Sequence, residues 1–487
     1  MGFIAALLSK TGEDVSGRLL QMLEVASPNR GHGYGVGTPE GAYFSFSQPE
    51  TLSFDSEVML GHKLVKIMPN DPPQPVSQHG YTMMFEGRLW GRSITSDFSV
   101  AADVVGVDPS RGIHRLIEEE NGSYVVIAVD KGRIICGRDP VGVVPLYIGE
   151  TETLAGAASN RKTLWTMGIE PEPLPPGCMA EITKGGVRLR KVRGLRQPSV
   201  RTVTMEEALE TLDRLLHEAV EARSRGVLSA SLGFSGGIDS SLLAHYLDLY
   251  GVEVDLVCVG LEGSAEFEAA EEAADDLGLP IRLESFTTME MEQDLEAVLR
   301  SVEEPDPMKI SIALPLRRAA QRASEHGSQI FYSGSGSDEI FGGYLKYVRE
   351  YAESGGAVID TMFKDVEAAY KINFERDFKV CADMGVEMRL PFSDWSLIDF
   401  GLGLPINLKF SVNEGSSRKL LLRELGRRIG LRDTVAFRRK RAIQYSTGVS
   451  RALRRLARRR GMTSSQYLTE RFNLIRKEYR EKGPTNE

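Results

Sequence analysis

Two kinds of hydrophobic pattern divide the chain. Up to about residue 195 the apolar residues come in short alternating or continuous runs bounded by Gly and Pro. Examples are Gly41-Ala-Tyr-Phe-Ser-Phe-Ser47, Tyr81-Thr-Met-Met-Phe85, Ser123-Tyr-Val-Val-Ile-Ala-Val129 and Arg133-Ile-Ile-Cys136. Such runs are strand signals, so this half is predicted to be β-rich with few long helices. The opening run Gly2-Phe-Ile-Ala-Ala-Leu-Leu8 has no basic flank, which suits a buried first strand better than a signal peptide. Beyond the linker-like Gly194-Leu-Arg-Gln-Pro-Ser-Val200 the period changes. Thr204 with Glu207 forms a capping-box pattern, and apolar residues then recur at helical spacing through Val220. Strand-like runs at Leu232–Phe234, Val254–Val259, Ile281–Leu283 and Gln329–Tyr332 alternate with helical ones. That alternation predicts a doubly wound parallel sheet, which binds ligands at the carboxyl ends of its strands.

Length and charge sharpen this picture. A chain of 487 residues is too long for one ordinary core, so two domains are expected, 1–195 and 203–487. No segment approaches the ~20 apolar residues of a membrane span, and the reading is a cytoplasmic protein. From Gly415 onward there are 21 Lys and Arg against 6 Asp and Glu, although the whole chain carries −9. The densest run, Arg451–Arg460, reads as a helix with a thin Leu453/Leu456 stripe. A solvated face near an anionic nucleotide is the expectation there, with nucleic-acid docking as the alternative; the acidic remainder argues against a general polynucleotide binder. Cys136, Cys178, Cys258 and Cys381 are far apart with no CxxC pair, which indicates neither a zinc site nor a disulfide framework.

The stretch with most chemistry is Leu232-Gly-Phe-Ser-Gly-Gly-Ile-Asp-Ser-Ser241, where a strand becomes a helix. Such a turn points backbone N–H groups and the positive end of the helix dipole at one spot. Gly236 and Gly237 let an anion approach the backbone, and Ser235, Ser240 and Ser241 add hydroxyl donors. Asp239 cannot serve the anion itself. It makes sense if Mg²⁺ lies between carboxylate and phosphate.

This stretch resembles the SGGxDS pyrophosphate loop (PP-loop) of ATP pyrophosphatases, specifically that of the asparagine synthetase family. Further marks follow in order. Cys258-Val-Gly-Leu-Glu-Gly-Ser264 is similar to the strand end that faces adenine, and Ser333-Gly-Ser-Gly-Ser-Asp-Glu-Ile-Phe-Gly-Gly-Tyr344 resembles SGEGxDExFGGY. Met384-Gly-Val-Glu-Met-Arg-Leu-Pro-Phe-Ser-Asp394 resembles GLExRxPFLD, and Ser417–Arg423 with Arg438-Arg-Lys440 resembles the closing lysine region. In the first half, Gly137-Arg-Asp-Pro-Val-Gly-Val-Val-Pro-Leu-Tyr147, Ala155–Ser159 and Leu174-Pro-Pro-Gly177 resemble scaffold marks of the class II glutaminase domain.

The resemblance implies an α/β protein: an N-terminal four-layer α/β/β/α Ntn-like domain, then a doubly wound parallel-sheet synthetase domain with extra helices. It implies ATP and Mg²⁺, a carboxylate attacking the α-phosphorus, and an amine displacing AMP. By position, Ser235 to Ser241 hold pyrophosphate, Asp239 and Asp338 are Mg²⁺ ligands, Val259, Ser333 and Gly334 contact the nucleotide, and Lys440 is the cation near the α-phosphate. The expected partners are a small carboxylic acid, an amine or ammonia and a separate glutaminase, in a homodimer.

Departures from the family pattern set further expectations. Family members that hydrolyse glutamine carry a nucleophilic cysteine where this chain has Gly2. The arginine that would hold glutamine is Leu64, and the oxyanion asparagine is replaced in Glu86-Gly-Arg88. Loss of glutaminase activity is therefore expected. On the acceptor side the family's glutamate base is Ser335 and its carboxylate-clamping arginine is Ser311, which disfavours aspartate as substrate. Glu304 or Lys309 stands as replacement for base or clamp, and Glu304 joins Asp239 and Lys440 as a catalytic candidate. The expected function is an AMP-forming amide ligase resembling asparagine synthetase. A non-catalytic ATP-binding subunit or regulator, and a ring-closing ligase like the β-lactam synthetases, are the alternatives.

Overall fold

A computed structural model describes residues 2–26, 31–91, 96–264, 266–412, 417–438 and 443–482. The chain divides into two compact units, residues 1–194 with 469–487, and 195–468.

The first unit is built on two wholly antiparallel sheets of seven and six strands. Phe3–Ser9 is buried at every position and lies inside the first sheet, between Val58–Leu64 and Leu154–Ala158. A strand hidden on both faces reads as a continuous apolar run, which is why the sequence opens that way. Its Phe3, Ala5 and Leu7 pack under the helices Ser16–Val25 and Arg161–Thr166. The opposite face of that sheet meets Tyr81–Leu89, Gly122–Asp130 and Arg133–Arg138 of the second sheet. Tyr81, Met83 and Phe85 then face the helices Asp97–Val105 and Pro109–Glu119. The layers are therefore helix, sheet, sheet, helix. The covering helices are only 6 to 11 residues long, where periodicity is hardest to see; Pro109–Glu119 does announce itself, with Asp108 accepting from Ser110 and Arg111 ahead of a proline in the first turn.

The final helix, Ser464–Glu481, lies across the division of the chain into compact units, which falls after Leu468. From Thr469 the chain groups with the first unit because its apolar stripe has a partner there: Phe472 and Tyr479 meet the Trp165 ring at 5.9 and 6.5 Å, and Arg476 lies over the same ring and pairs with Glu170.

The second unit begins with Met205–Ser224, held by the capping box of Thr204 and Glu207. Its sheet is wholly parallel, in the order Ile281–Phe286, Glu253–Leu261, Ser229–Gly233, Ile330–Tyr332, Glu387–Arg389. The first strand in sequence sits at the centre. The chain winds outward to one side and then returns to the other, so the winding reverses between Ser229–Gly233 and Ile330–Tyr332. A crevice at the carboxyl ends of those two strands is where such sheets bind ligands. A continuous helical run from Val358 to Asp383 also matters to the site, because Tyr370–Phe374 within it is a π turn. Among the described residues no helix is long and apolar enough to cross a membrane.

Candidate functional site

Both loops that leave the switch-point strands carry the singled-out residues. After Ser229–Gly233 comes Ser235-Gly-Gly237, which leads into the helix Ile238–Leu249; after Ile330–Tyr332 comes Ser333–Gly336. They lie so close that a Cβ on Gly334 would stand 2.9 Å from that of Asp239. Gly236 has φ +65°, and a Cβ there would fall 2.3 Å from the Ala269 carbonyl oxygen, so both backbone conformation and space demand glycine. No side chain caps the helix that Gly237 begins, so its first N–H groups are not claimed by a capping residue. Ser235 is exposed, and its Oγ accepts from the Gly237 N–H at 3.3 Å.

Two cavities open at this point. The smaller, about 430 Å³, is lined by Ser235, Gly237 and Asp239, by the cations of Arg418, Lys419, Arg423 and Arg438, and by the carboxylates of Glu266, Glu268 and Glu272. Arg438 is paired with Glu272 and Lys419 with Asp239, so the turn's N–H groups together with Arg418 and Arg423 are what make this an anion chamber. Arg423 and Arg438 are fixed by carbonyls, Arg423 Nη1 donating to Ala436 O at 2.8 Å and Arg438 Nη1 donating to Ala269 O. The larger cavity, about 710 Å³, contains Ser235, Asp239, Ser240, Val259, Ser333, Gly334, Ser335 and Asp338. Its size is in the upper part of the ~300–1,000 Å³ range of small-molecule sites.

Asp239 and Asp338 converge on one atom. Lys419 Nζ lies 2.5 Å from Asp239 Oδ2 and 2.8 Å from Asp338 Oδ1, and it donates to Ser337 Oγ at 2.8 Å. Lys419 is 1% exposed and has φ +58°, a strained backbone for a residue with a side chain. Two carboxylates around one ammonium leave a negative excess, which fits a divalent cation. Among the described residues no group of three or more acidic, His or Cys side chains could hold a metal alone, so such an ion would take further ligands from phosphate or water.

Not every residue marked in the sequence faces the cavities. Ser241 is fully buried and lines neither, and Gly236 lines neither. Glu304 also lines neither; its carboxylate is paired with Lys309 Nζ. Lys440 lies outside the described residues.

The acceptor side contains groups that no motif announced. Ser335 Oγ donates to Asp377 Oδ2 at 3.2 Å, so a carboxylate stands behind the hydroxyl that replaces the expected glutamate. Arg376 Nε donates to Asp377 Oδ1 at 2.6 Å. Glu339 Oε1 accepts from Tyr344 Oη at 2.6 Å and from Asn373 Nδ2 at 2.7 Å; burial, then the neighbouring Asp338 charge, pushes its carboxyl above the usual range. Lys419 and Arg423 lay in a stretch already quoted, whereas Arg376 and Asp377 sit in an ordinary-looking helical segment and are brought to the cavity by the fold.

In the first unit the place expected for a nucleophile is filled. Gly2 N donates to Glu86 Oε1 at 2.8 Å, and Glu86 Oε2 lies 3.5 Å from Nε2 of the fully buried His62. A Cβ on Gly2 would stand 2.5 Å from the Lys63 carbonyl oxygen and 2.8 Å from Glu86 Oε2.

The asparagine synthase family model matches residues 211–358 and 358–483. A candidate asparagine synthetase (glutamine-hydrolysing) of Methanocaldococcus jannaschii is 30% identical over 414 residues, covering 74% of this chain and 75% of its own length. The asparagine synthetase (glutamine-hydrolysing) of Sandersonia aurantiaca is 28% identical over 295 residues, or 58% of this chain and 55% of its own. Of this second relative the chain thus spans little more than half the length. A solved glutamine phosphoribosylpyrophosphate amidotransferase from B. subtilis is 15% identical, covering 68% of this chain and 81% of its own, with a TM-score of 0.34, too low to bear on fold or function. The family model and the archaeal relative together show that the chain belongs to the asparagine synthase family.

Proposed function

We propose that the second unit is an ATP-dependent, AMP- and pyrophosphate-forming amide ligase that works without glutamine hydrolysis in the first. The observation that carries this reading is the convergence of Asp239 and Asp338, from two loops at the sheet's switch point, on Lys419 beside a chamber walled by Arg418, Arg423 and Arg438.

The anion chamber suits the outgoing pyrophosphate. As an acid's carboxylate oxygen attacks the α-phosphorus and the bond to the β-phosphate bridging oxygen breaks, negative charge moves onto that product, where fixed N–H groups and cations stabilise it. Mg²⁺, when bound, would neutralise phosphate charge between Asp239 and Asp338. Lys419 then bonds to phosphate or to the remaining carboxylate positions. Val259, Ser333 and Gly334 line the larger cavity where the nucleoside would lie. Lys440 is assigned, on its place in the family pattern, to the α-phosphate. In the second step an amine attacks the acyl carbon, AMP leaves, and the amine's surplus proton passes toward the Ser335–Asp377 pair. Asp377 thereby takes the role foreseen for Glu304, which is held by Lys309 away from both cavities. Nitrogen comes from free amine, ammonia or a separate glutaminase, because the space beside Gly2 is occupied by Glu86 and the Lys63 carbonyl.

Pyrophosphate release from ATP·Mg²⁺ by the full chain, screened over carboxylic acids with ammonia and separately with glutamine, tests this. Acid-dependent release with ammonia is expected. ATP binding without release for any acid would instead mark a nucleotide-binding subunit, and release supported by glutamine alone would restore a working first unit.

A further inference from the structure

The larger cavity has an apolar wall that the charged groups of an aspartate would not match. The helix Pro307–Glu325 presents Met308, Ile312, Pro315, Leu316 and Ala319 to it, an apolar stripe at helical spacing. Met308 is 58% exposed, and Ile372 of the π turn, which lines the same cavity, is 42% exposed. Large apolar side chains left open inside a concave site mark a surface meant to be covered by something apolar. Meanwhile Ser311, at the place of the family's carboxylate clamp, is 2% exposed and donates its hydroxyl to the Pro307 carbonyl at 2.6 Å. It has no reach into the cavity.

A cation arrives from the other side. The π turn Tyr370–Phe374 interrupts the helical run of which Asn373, Arg376 and Asp377 all line the cavity. Single π turns within helices sacrifice regular hydrogen bonding and recur at functional sites. Here cations cover two of its carbonyls, Lys309 Nζ donating to Lys371 O at 2.7 Å and Arg376 Nη1 to Ile372 O at 3.4 Å. Arg376 is 5% exposed, with Nε on Asp377 and Nη1 on Ile372 O; among the described residues Nη2 has no protein partner. A nearly buried guanidinium with an unclaimed N–H at a cavity wall is an anchor for an anion.

We infer that the acceptor is a carboxylic acid with a hydrocarbon body and no α-amino-acid head, its carboxylate held by Arg376 beside Ser335 and its body lying on Met308, Ile312, Leu316 and Ile372. This rests on the ligase reading for the fate of the acid, though not for its binding. Arg376 is brought into position by the π turn, and the body of the acid lies on the apolar stripe, with Ser311 withdrawn from the place of the family's clamp.

The test uses the full chain with ATP·Mg²⁺ and two probes, 3-phenylpropionate and aspartate. Binding is read by ligand-observed saturation-transfer NMR and activation by ATP–pyrophosphate exchange. Phenylpropionate is expected to bind at least about tenfold more tightly than aspartate, a difference of about 1.4 kcal/mol. Met308→Glu, at an exposed position, should weaken phenylpropionate at least about tenfold while ATP binding is retained, because it sets a like charge and a polar group on the wall. Arg376→Met should weaken it similarly and Arg376→Lys less, with ATP binding again reporting an intact fold. Equal or tighter binding of aspartate, or no response to Met308→Glu, overturns the inference. Exchange driven by aspartate without phenylpropionate binding would overturn it and leave the ligase reading standing. Binding of phenylpropionate with no exchange for any acid would uphold it and sink the ligase reading.

Discussion

The two units carry family marks of different physical kinds. In the first, the marks point inward. Arg138 is fully buried and donates to the carbonyls of Leu174 and Gly142, both at 2.8 Å. Asp139 accepts from the backbone of Val141 and Gly142 through Oδ1 and of Tyr124 through Oδ2, and burial pushes its carboxyl up to about 6. These residues tie a turn to a sheet and need no ligand. In the second unit the marked residues Ser235, Asp239, Ser333 and Asp338 line open cavities. A scaffold mark is therefore held in place by packing alone, because its removal would leave buried polar groups unsatisfied. A residue that faces a cavity has no such role in the packing, and its contribution is read in binding.

The largest effect that would break this contrast lies at the convergence point. Asp239→Asn or Lys419→Met should lower acid-dependent pyrophosphate release by about 10²- to 10³-fold, the scale seen when one fixed charge-stabilising group is removed. The full chain's folding should be checked by denaturation, since Lys419 is buried between Asp239 and Asp338 and leaving either carboxylate uncompensated also costs stability. A variant that folds and still releases pyrophosphate at the original rate would move the site elsewhere.

Gly236→Ala comes next. It forces a side chain into a left-handed backbone, at about 1–2 kcal/mol, and into the Ala269 carbonyl. ATP affinity measured by calorimetry should fall about tenfold or more. A control at Gly278, whose φ is +67° with open space around its Cβ position, should affect stability alone.

How much of this was legible in the sequence follows from the same contrast. Local patterns disclosed the strand-to-helix turn at Ser235–Ser241 and the parallel sheet, because a glycine pair, a capping box and alternating runs are properties of neighbours in sequence. Arg376 and Asp377 were not legible. They lie some 140 residues from the turn, and they reach the cavity through a π turn whose sequence, Tyr-Lys-Ile-Asn-Phe, has no breaker to betray it. Ser240 and Ser241 were not separable in the sequence: along a helix Ser240 faces the cavity, while Ser241, 100° further round, is fully buried and lines neither cavity. Glu304 was offered as a base on chemistry alone, and the sequence could not show that Lys309 holds it. That residues from Thr469 onward pack on Trp165 was not legible either, because an amphipathic stripe states that a partner exists without naming it.

Within the second unit, two buried lysines ten residues apart sharpen the comparison further. Lys419 lies between carboxylates. Lys409 is 1% exposed, and among the described residues its Nζ meets only the Leu402 carbonyl, at 3.3 Å. Burial lowers its ammonium from 10.5 to about 7. With the folded value depressed, the unfolded chain binds a proton that the folded chain lacks between about pH 7 and 10.5, so stability rises with pH across that window and is lost as pH falls toward 7. Lys409→Met should remove up to about 1.4 kcal/mol per pH unit of that slope. The check is the difference between urea denaturation curves of the two proteins at pH 7.5, 8.5 and 9.5; parallel curves would mean that Lys409 stays charged.

The smallest expected effect is none at all, and it returns to the first unit. Gly2→Cys supplies the thiol whose absence is the most obvious departure from the glutamine-hydrolysing relatives. The new Cβ, however, would stand 2.5 Å from the Lys63 carbonyl, a backbone atom in a strand paired on both sides, and 2.8 Å from Glu86. Glu86 already accepts from the Gly2 N–H and lies near His62, so the thiol would meet a carboxylate where an oxyanion hole is required. Negative charge next to a thiol raises its pKa, and Leu64 supplies no cation to hold glutamine. Glutamate release from glutamine by Gly2→Cys should therefore equal that of the unaltered chain. Adding Glu86→Asn and Leu64→Arg removes the carboxylate and supplies the missing clamp, and only that triple variant has the parts for hydrolysis. Turnover by the single variant would show that the space beside residue 2 is adaptable and that the loss rests on one atom rather than on the filled site.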